Sequence, residues 1–177
     1  MENTTSWVEQ VVIRTIRETD LPALEWNGEY IHYRRVYSDA YERSKAGQMV
    51  LWIAEIPGAG LLGQLFVQLD ADYLQKDHFR KGYIYGFRIK PEYRSSGVGS
   101  RMIKTAENDL FRRGYHFVTL NVAKNNPRAL DLYKRLGYYL IGEDPGRWSY
   151  PDHNGIWHHV EEPAWKMEKS IWSMQKI

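Results

Sequence analysis

The chain has 177 residues, 43% hydrophobic and 26% charged, with a formal net charge of +2 and no cysteine. Such values are ordinary for a folded globular chain and exclude disordered, collagen-like and coiled-coil architectures. They also exclude disulfides, thiolate metal sites and a cysteine nucleophile, and the small charge gives no sign of a nucleic-acid partner. The length suits a single domain over residues 1–177. No run approaches the roughly 18 apolar residues of a membrane span. Residues 1–6 lack the basic and apolar regions of a signal peptide, so a cytoplasmic protein without a membrane partner is expected.

Residues 11–17 are rich in β-branched side chains and predict a strand. Thr19-Asp20-Leu21-Pro22 is a helix-start signal, and residues 21–46 read as helical, in one or two pieces. Tyr30, Tyr33, Tyr37 and Tyr41 recur at helical spacing on one face, and Gly47 is a natural stop. Strands over 50–56 and 61–69 flank the turn Pro57-Gly58-Ala59-Gly60. The window from Gly58 to Gly63 spells G-x-G-x-x-G, but it opens an apolar strand instead of a helix, so it is a hairpin and not a dinucleotide site. Residues 71–82 read as a polar loop and 83–89 as a strand.

A glycine-rich turn then leads into a helix whose buried stripe is Val98, Met102, Ile103, Ala106 and Leu110, stopped by Gly114. A strand over 116–122 follows. Asn126-Pro127 pairs an N-cap residue with proline at the first helical position, and Gly137 closes that short helix. Residues 138–141 read as a strand, 143–163 as a long aromatic-rich loop, and 165–171 as the last strand. Strand and helix alternate from 83 to 141, as in the parallel-capable core of an α/β or α+β sheet. The 7 Trp and 13 Tyr either fill a core or line a substrate site.

The stretch Arg94-x-x-Gly97-x-Gly99 carries the chemistry. It lies between a strand and an amphipathic helix, where unsatisfied N–H groups and a partial positive charge suit a phosphate. Glycines there let a bulky anion approach the backbone. The Lys-Ser/Thr ending of a Walker loop is missing, and Met102 stands where a Rossmann fingerprint has its third glycine. The alternative is a turn without a ligand.

Downstream runs Asn126-Pro127-Arg128-Ala129-Leu130-Asp131-Leu132-Tyr133-Lys134-Arg135-Leu136-Gly137-Tyr138. With Pro91-Glu92-Tyr93-Arg94-Ser95-Ser96-Gly97-Val98-Gly99, it resembles the GCN5-related N-acetyltransferase (GNAT) superfamily over nearly the whole chain. The downstream match rests on Asn126, Ala129, Tyr133, Leu136, Gly137 and Tyr138. The resemblance implies an α/β (α+β) fold with a mixed, centrally splayed sheet of six to seven strands and about four helices. It implies acetyl-CoA as acyl donor and a primary amine, on a small molecule or a peptide, as acceptor. The backbone of Phe87, Arg88 and Ile89 would pair with the pantetheine arm. Arg94 and the amides of Ser95, Ser96, Gly97, Val98, Gly99 and Ser100 would hold the pyrophosphate, with Asn126 near the CoA arm. Lys124 or Arg128 would meet the outer phosphate or be surface charges.

Tyr133 matches the family tyrosine that protonates the departing thiolate. A thiol has a pKa of about 8.5 and tyrosine about 10, so the phenol is protonated when the thiolate leaves. The positions where relatives carry a basic glutamate are Tyr83 and Asn121 here, which leaves Glu29, Glu143, Asp144 or a water chain as the base. With no cysteine, direct transfer is expected instead of an acyl-enzyme. Trp148, Tyr150, His153, Trp157, His158 and His159 could wall the acceptor, fold over the sheet or form a dimer contact; their spacing matches no metal motif. The rival reading is a CoA-binding sensor without catalysis, favoured by the missing base and opposed by Tyr133.

Overall fold

A computed structural model describes residues 6–69 and 79–172. Seven strands form one sheet in the order β1-β2-β3-β4-β5-β9-β6. They are β1 (Val12–Thr15), β2 (Met49–Ile56), β3 (Gly60–Gln68), β4 (Lys81–Ile89), β5 (Phe117–Ala123), β6 (Tyr139–Asp144) and β9 (Ala164–Ser170). Every neighbouring pair is antiparallel except β4 and β5. Three α-helices flank the sheet: α1 (Arg34–Lys45), α2 (Val98–Arg112) and α3 (Pro127–Arg135). The expected mixed sheet and helix order are present.

Alternation along the strands sorts the core into two layers. Met49, Leu51, Ile53 and Phe66 pack with Leu24, Tyr37 and Ala40 on the α1 side. Val50, Leu65, Val67, Ile84, Val118 and Leu120 pack on the other side with the α2 stripe and with Tyr133 of α3. Val98, Met102, Ile103, Ala106 and Leu110 are each at most 1% exposed, and burying side chains of the larger kind stabilises by roughly 1.5–3 kcal/mol apiece. Asn126 caps α3 as its sequence predicts: the side-chain oxygen accepts a hydrogen bond from the Ala129 amide at 3.1 Å.

The N-terminal helical segment differs from its expectation. It is a 3₁₀ segment over Glu18–Glu25, a short 3₁₀ turn over Ile31–Tyr33, and only then α1. Trp26, Asn27 and Gly28 all have positive φ, which no continuous right-handed helix tolerates. β4 begins at Lys81, inside the expected loop; positions 71–78 of that loop lie outside the described residues. The largest correction concerns 143–163, which is a β-hairpin of β7 (Arg147–Pro151) and β8 (Trp157–Glu161) instead of a loop. Asn154-Gly155 between two alternating segments is the turn signal for it, and Gly155 has φ +83°. The last strand, β9, inserts between β5 and β6.

One polar cluster ties α2 to β9 and to the residue before β6. Glu107, 3% exposed, accepts from the Tyr138 hydroxyl at 2.8 Å and from Lys169 Nζ at 2.9 Å. Removing one partner leaves a buried charge uncompensated. Lys169→Met is expected to destabilise the fold by about 2–4 kcal/mol, measured by urea denaturation; an unchanged midpoint would show the cluster to be energetically neutral.

Candidate functional site

The site arises where two parallel strands part. β4 and β5 pair only over Lys81–Ile84 and Phe117–Leu120. Beyond that point β5 continues along β9, while β4 continues along β3 through a bulge opposite Gln64 and Phe66. Gly86 sits in that bulge with φ +60°, a left-handed conformation that glycine adopts at little cost. The edge of β4 from Tyr85 to Ile89 therefore has no strand partner on the β5 side, and its backbone groups there are open to a ligand.

A cleft of about 1000 Å³ opens on the α2–α3 side of this gap. Phe87, Arg88, Ile89, Arg94, Ser95, Gly97, Gly99, Ser100, Asn126 and Tyr133 all line it, so the sequence-predicted residues converge. Gly97 is the N-cap of α2 with φ +86°, and no side chain caps the helix. Ser95 is also left-handed, at φ +58°. The first amides of α2 are thus free, and the positive end of the helix faces the cleft. Arg94 Nε donates to the Ile89 carbonyl at 2.8 Å, which pins the loop to the end of β4. Arg128 of α3 donates to the Ser95 hydroxyl across the cleft. The side chains of Ser96 and Val98 turn away: Ser96 Oγ donates to the Tyr93 carbonyl at 2.7 Å, and Val98 is fully buried. Lys124 is drawn off by Glu143 at 2.9 Å and lies over the Trp165 ring.

Tyr133 projects from α3 into this cleft and is 7% exposed. Its ring meets Tyr138 edge-on at 5.8 Å. Burial pushes its phenol above the ordinary tyrosine value, with Tyr83 adding to the effect. The hydroxyl accordingly stays protonated well beyond neutral pH.

A second cleft, about 940 Å³, lies on the α1 side. Its walls are Tyr33 from the 3₁₀ turn, Tyr37 from α1, Tyr83 and Tyr85 from β4, and Trp148 and Tyr150 from the hairpin. Tyr33 stacks on Trp148 at 6.0 Å and meets Tyr150 at 5.0 Å, so the aromatic hairpin leans on the helical tyrosines. Burial raises the phenols of Tyr33, Tyr37 and Tyr83, and pushes Tyr85 up to about 12. These hydroxyls are donors at neutral pH, not bases. Two histidines of the hairpin are engaged within it, His158 with Asp152 at 2.7 Å and His159 with Ser149 at 2.6 Å, whereas the buried Nδ1 of His153 has no partner among the described residues.

Tyr85, Gly86, Arg88, Asn121, Ala123 and Glu162 line both clefts, which therefore meet through the gap between the strands. Glu162 is the carboxylate at that junction, and residue-type spacing gave no sign of it. It lies between β8 and β9, and its amide donates to the Gly146 carbonyl at 3.0 Å. Among the described residues its carboxylate makes no ion pair, yet its charge reaches Tyr33. Of the acids expected to act as base, Glu143 is paired with Lys124, and Glu29 lines neither cleft. Asp144 lines the second cleft only, accepting from the Gly146 amide at 2.6 Å.

A model of the acetyltransferase (GNAT) family matches residues 13–138. Thialysine N-epsilon-acetyltransferase of Bos taurus is 39% identical over 67 residues, a match spanning 38% of this chain and 39% of the relative. Among solved structures, the ribosomal-protein-S18-alanine N-acetyltransferase of Escherichia coli superposes with a TM-score of 0.66 at 19% identity, covering 91% of this chain and 94% of that one. NAA60 of Arabidopsis thaliana in complex with acetyl-CoA gives 0.68 at 18% identity, with 91% and 98% covered. The spermidine/spermine N-acetyltransferase SpeG of Vibrio cholerae gives 0.70 at 16% identity, with 96% and 98% covered. At these identities the structures establish the fold.

Proposed function

The chain belongs to the acetyltransferase (GNAT) family, and we propose that it transfers acetyl from acetyl-CoA directly to a primary amine, the two substrates meeting in the gap between β4 and β5. The observation that carries this reading is the junction of the two clefts at Tyr85, Gly86, Arg88, Asn121, Ala123 and Glu162. The named acceptors of the relatives are thialysine, S18 alanine and spermidine, and an amine is common to all of them.

The first cleft fits the donor. The uncapped start of α2 suits a pyrophosphate, and the free edge of β4 suits the amides of an extended arm. Bound acetyl-CoA supplies an activated acyl group and a thiolate leaving group. Gly97 keeps the loop in its left-handed turn, Arg94 and Arg128 add positive charge, and Phe87 and Ile89 line the path to the gap. Tyr133 holds a proton at its hydroxyl and donates it to the departing sulfur; burial keeps that proton in place until needed.

The second cleft takes the amine. An alkylamine with a pKa near 10.4 is neutral in only roughly one molecule in 2,500 at pH 7. Its nitrogen becomes far more acidic as it bonds to a carbonyl carbon, so a carboxylate placed at the gap can accept the proton. Glu162 occupies that place and supplies the base that Tyr83 and Asn121 cannot. With it, the sensor reading loses its main support.

Three outcomes are expected. Tyr133→Phe lowers kcat by about 10²-fold with little change in acetyl-CoA affinity; an unchanged kcat removes Tyr133 from the mechanism. Gly97→Val weakens acetyl-CoA binding at least tenfold in calorimetry, roughly the loss of one charge-assisted hydrogen bond; normal affinity in the folded variant contradicts the loop assignment. Glu162→Gln lowers kcat/KM for the amine by about 10²-fold near neutral pH and shifts the remaining activity to higher pH, where free amine is abundant. A parallel pH profile would assign the proton to another group.

A further inference from the structure

The notable occupant of the acceptor cleft is a cation that belongs to the protein itself. The Arg88 guanidinium lies 4.2 Å from the Tyr30 ring centre and 5.1 Å from that of Tyr33. Its Nη1 donates to the Tyr37 hydroxyl at 2.7 Å. The aromatic cage that could hold a ligand's ammonium is therefore already filled, and a second positive charge beside it would be repelled.

Among the described residues no carboxylate lies within ion-pair distance of Arg88, whereas Arg34 is paired with Glu25 at 2.7 Å and Arg147 with Glu161 at 3.4 Å. Asp39, Asp144 and Glu162 line the same cleft, yet none of them bonds it. Its charge is felt nearby: the His32 imidazole is pushed down by burial first and by Arg88 second. A guanidinium has five N–H donors in a rigid fork, and the structure shows one used on Tyr37. The rest are matched in geometry to a carboxylate.

We propose that Arg88 selects acceptors carrying a carboxylate, so that the substrate class is an amino acid or similar amino carboxylate, with its anionic end on the Arg88 guanidinium and its reacting nitrogen toward Glu162. This rests on the acetyl-transfer reading above. The cleft offers separated charges of both signs around aromatic walls, which suits a dipolar ligand better than a polycation. The Arg88 backbone remains in register with Gln64 of β3, so the strand fixes the guanidinium within the site. Arg88 is a specificity-determining residue in this account; the bond chemistry stays with Tyr133 and Glu162.

The test uses amines matched with and without a carboxylate: lysine against cadaverine, ornithine against putrescine, and phenylalanine against phenethylamine. Thiol release is followed for the wild-type chain, Arg88→Lys and Arg88→Met. The carboxylate-bearing member is expected to be favoured about tenfold to a hundredfold in kcat/KM. Arg88→Met should abolish that preference by lowering kcat/KM more for each carboxylate acceptor than for its carboxylate-free partner, and Arg88→Lys should keep part of it. Equal rates within each wild-type pair would overturn the proposal, as would an Arg88→Met variant altered only in its KM for acetyl-CoA. If no amine releases thiol, the transfer reading fails on its own account. Calorimetric titration of the same pairs in the presence of CoA then decides the selectivity: preferential binding of the carboxylate members upholds it, and equal or absent binding overturns it.

Discussion

The separation of β4 from β5 after Ile84 and Leu120 is the constraint on which the site depends. Two parallel strands that stay paired would close the sheet and satisfy every backbone group between them. Here the bulge at Gly86 swings β4 along β3, while β9 keeps β5 on its own course. The backbone thus left unpaired forms a passage through the sheet. One cleft lies on the α2–α3 side and the other on the α1 side, so two ligands can approach a common point from opposite faces without competing for space.

The electrostatics divide along the same line. On one side the start of α2, Arg94 and Arg128 make a positive cradle around a glycine turn. On the other, tyrosines line a cleft together with Arg35, Arg88, Arg147 and the carboxylates of Asp39, Asp144 and Glu162. Burial acts in one direction on these tyrosines: it disfavours the phenolate and keeps each hydroxyl a donor. None of these phenols is a base at neutral pH, and the carboxylate that lines both clefts, Glu162, comes from the segment between β8 and β9.

Much of the first cleft was legible because its parts are local. Asn126-Pro127 caps a helix through an interaction three residues away, and Gly97 serves a turn whose geometry depends on its neighbours. The hairpin of β7 and β8 had a readable turn at Asn154-Gly155, but its dense aromatics and histidines masked the alternation. The break at Trp26, Asn27 and Gly28 was hidden for a different reason: two of the three left-handed residues are not glycine, and they are held by burial of Trp26 and by turn hydrogen bonds such as those from the Gly28 and Tyr30 amides to the Glu25 carbonyl.

Residue order by itself determined most of the elements, the glycine turn at the start of α2 and the inward tyrosine of α3, because each follows from periodicity, capping or backbone freedom within a few positions. It could not determine which distant groups share the gap. Glu162 meets Tyr85 and Asn121 because β9 inserts between β5 and β6. Arg88 meets Tyr30, Tyr33 and Tyr37 because the 3₁₀ turn over Ile31–Tyr33 and the start of α1 bring these rings to its side chain. Both encounters are consequences of strand order and layer packing. Charge, burial and partner change with those contacts, and only the tertiary structure decides them.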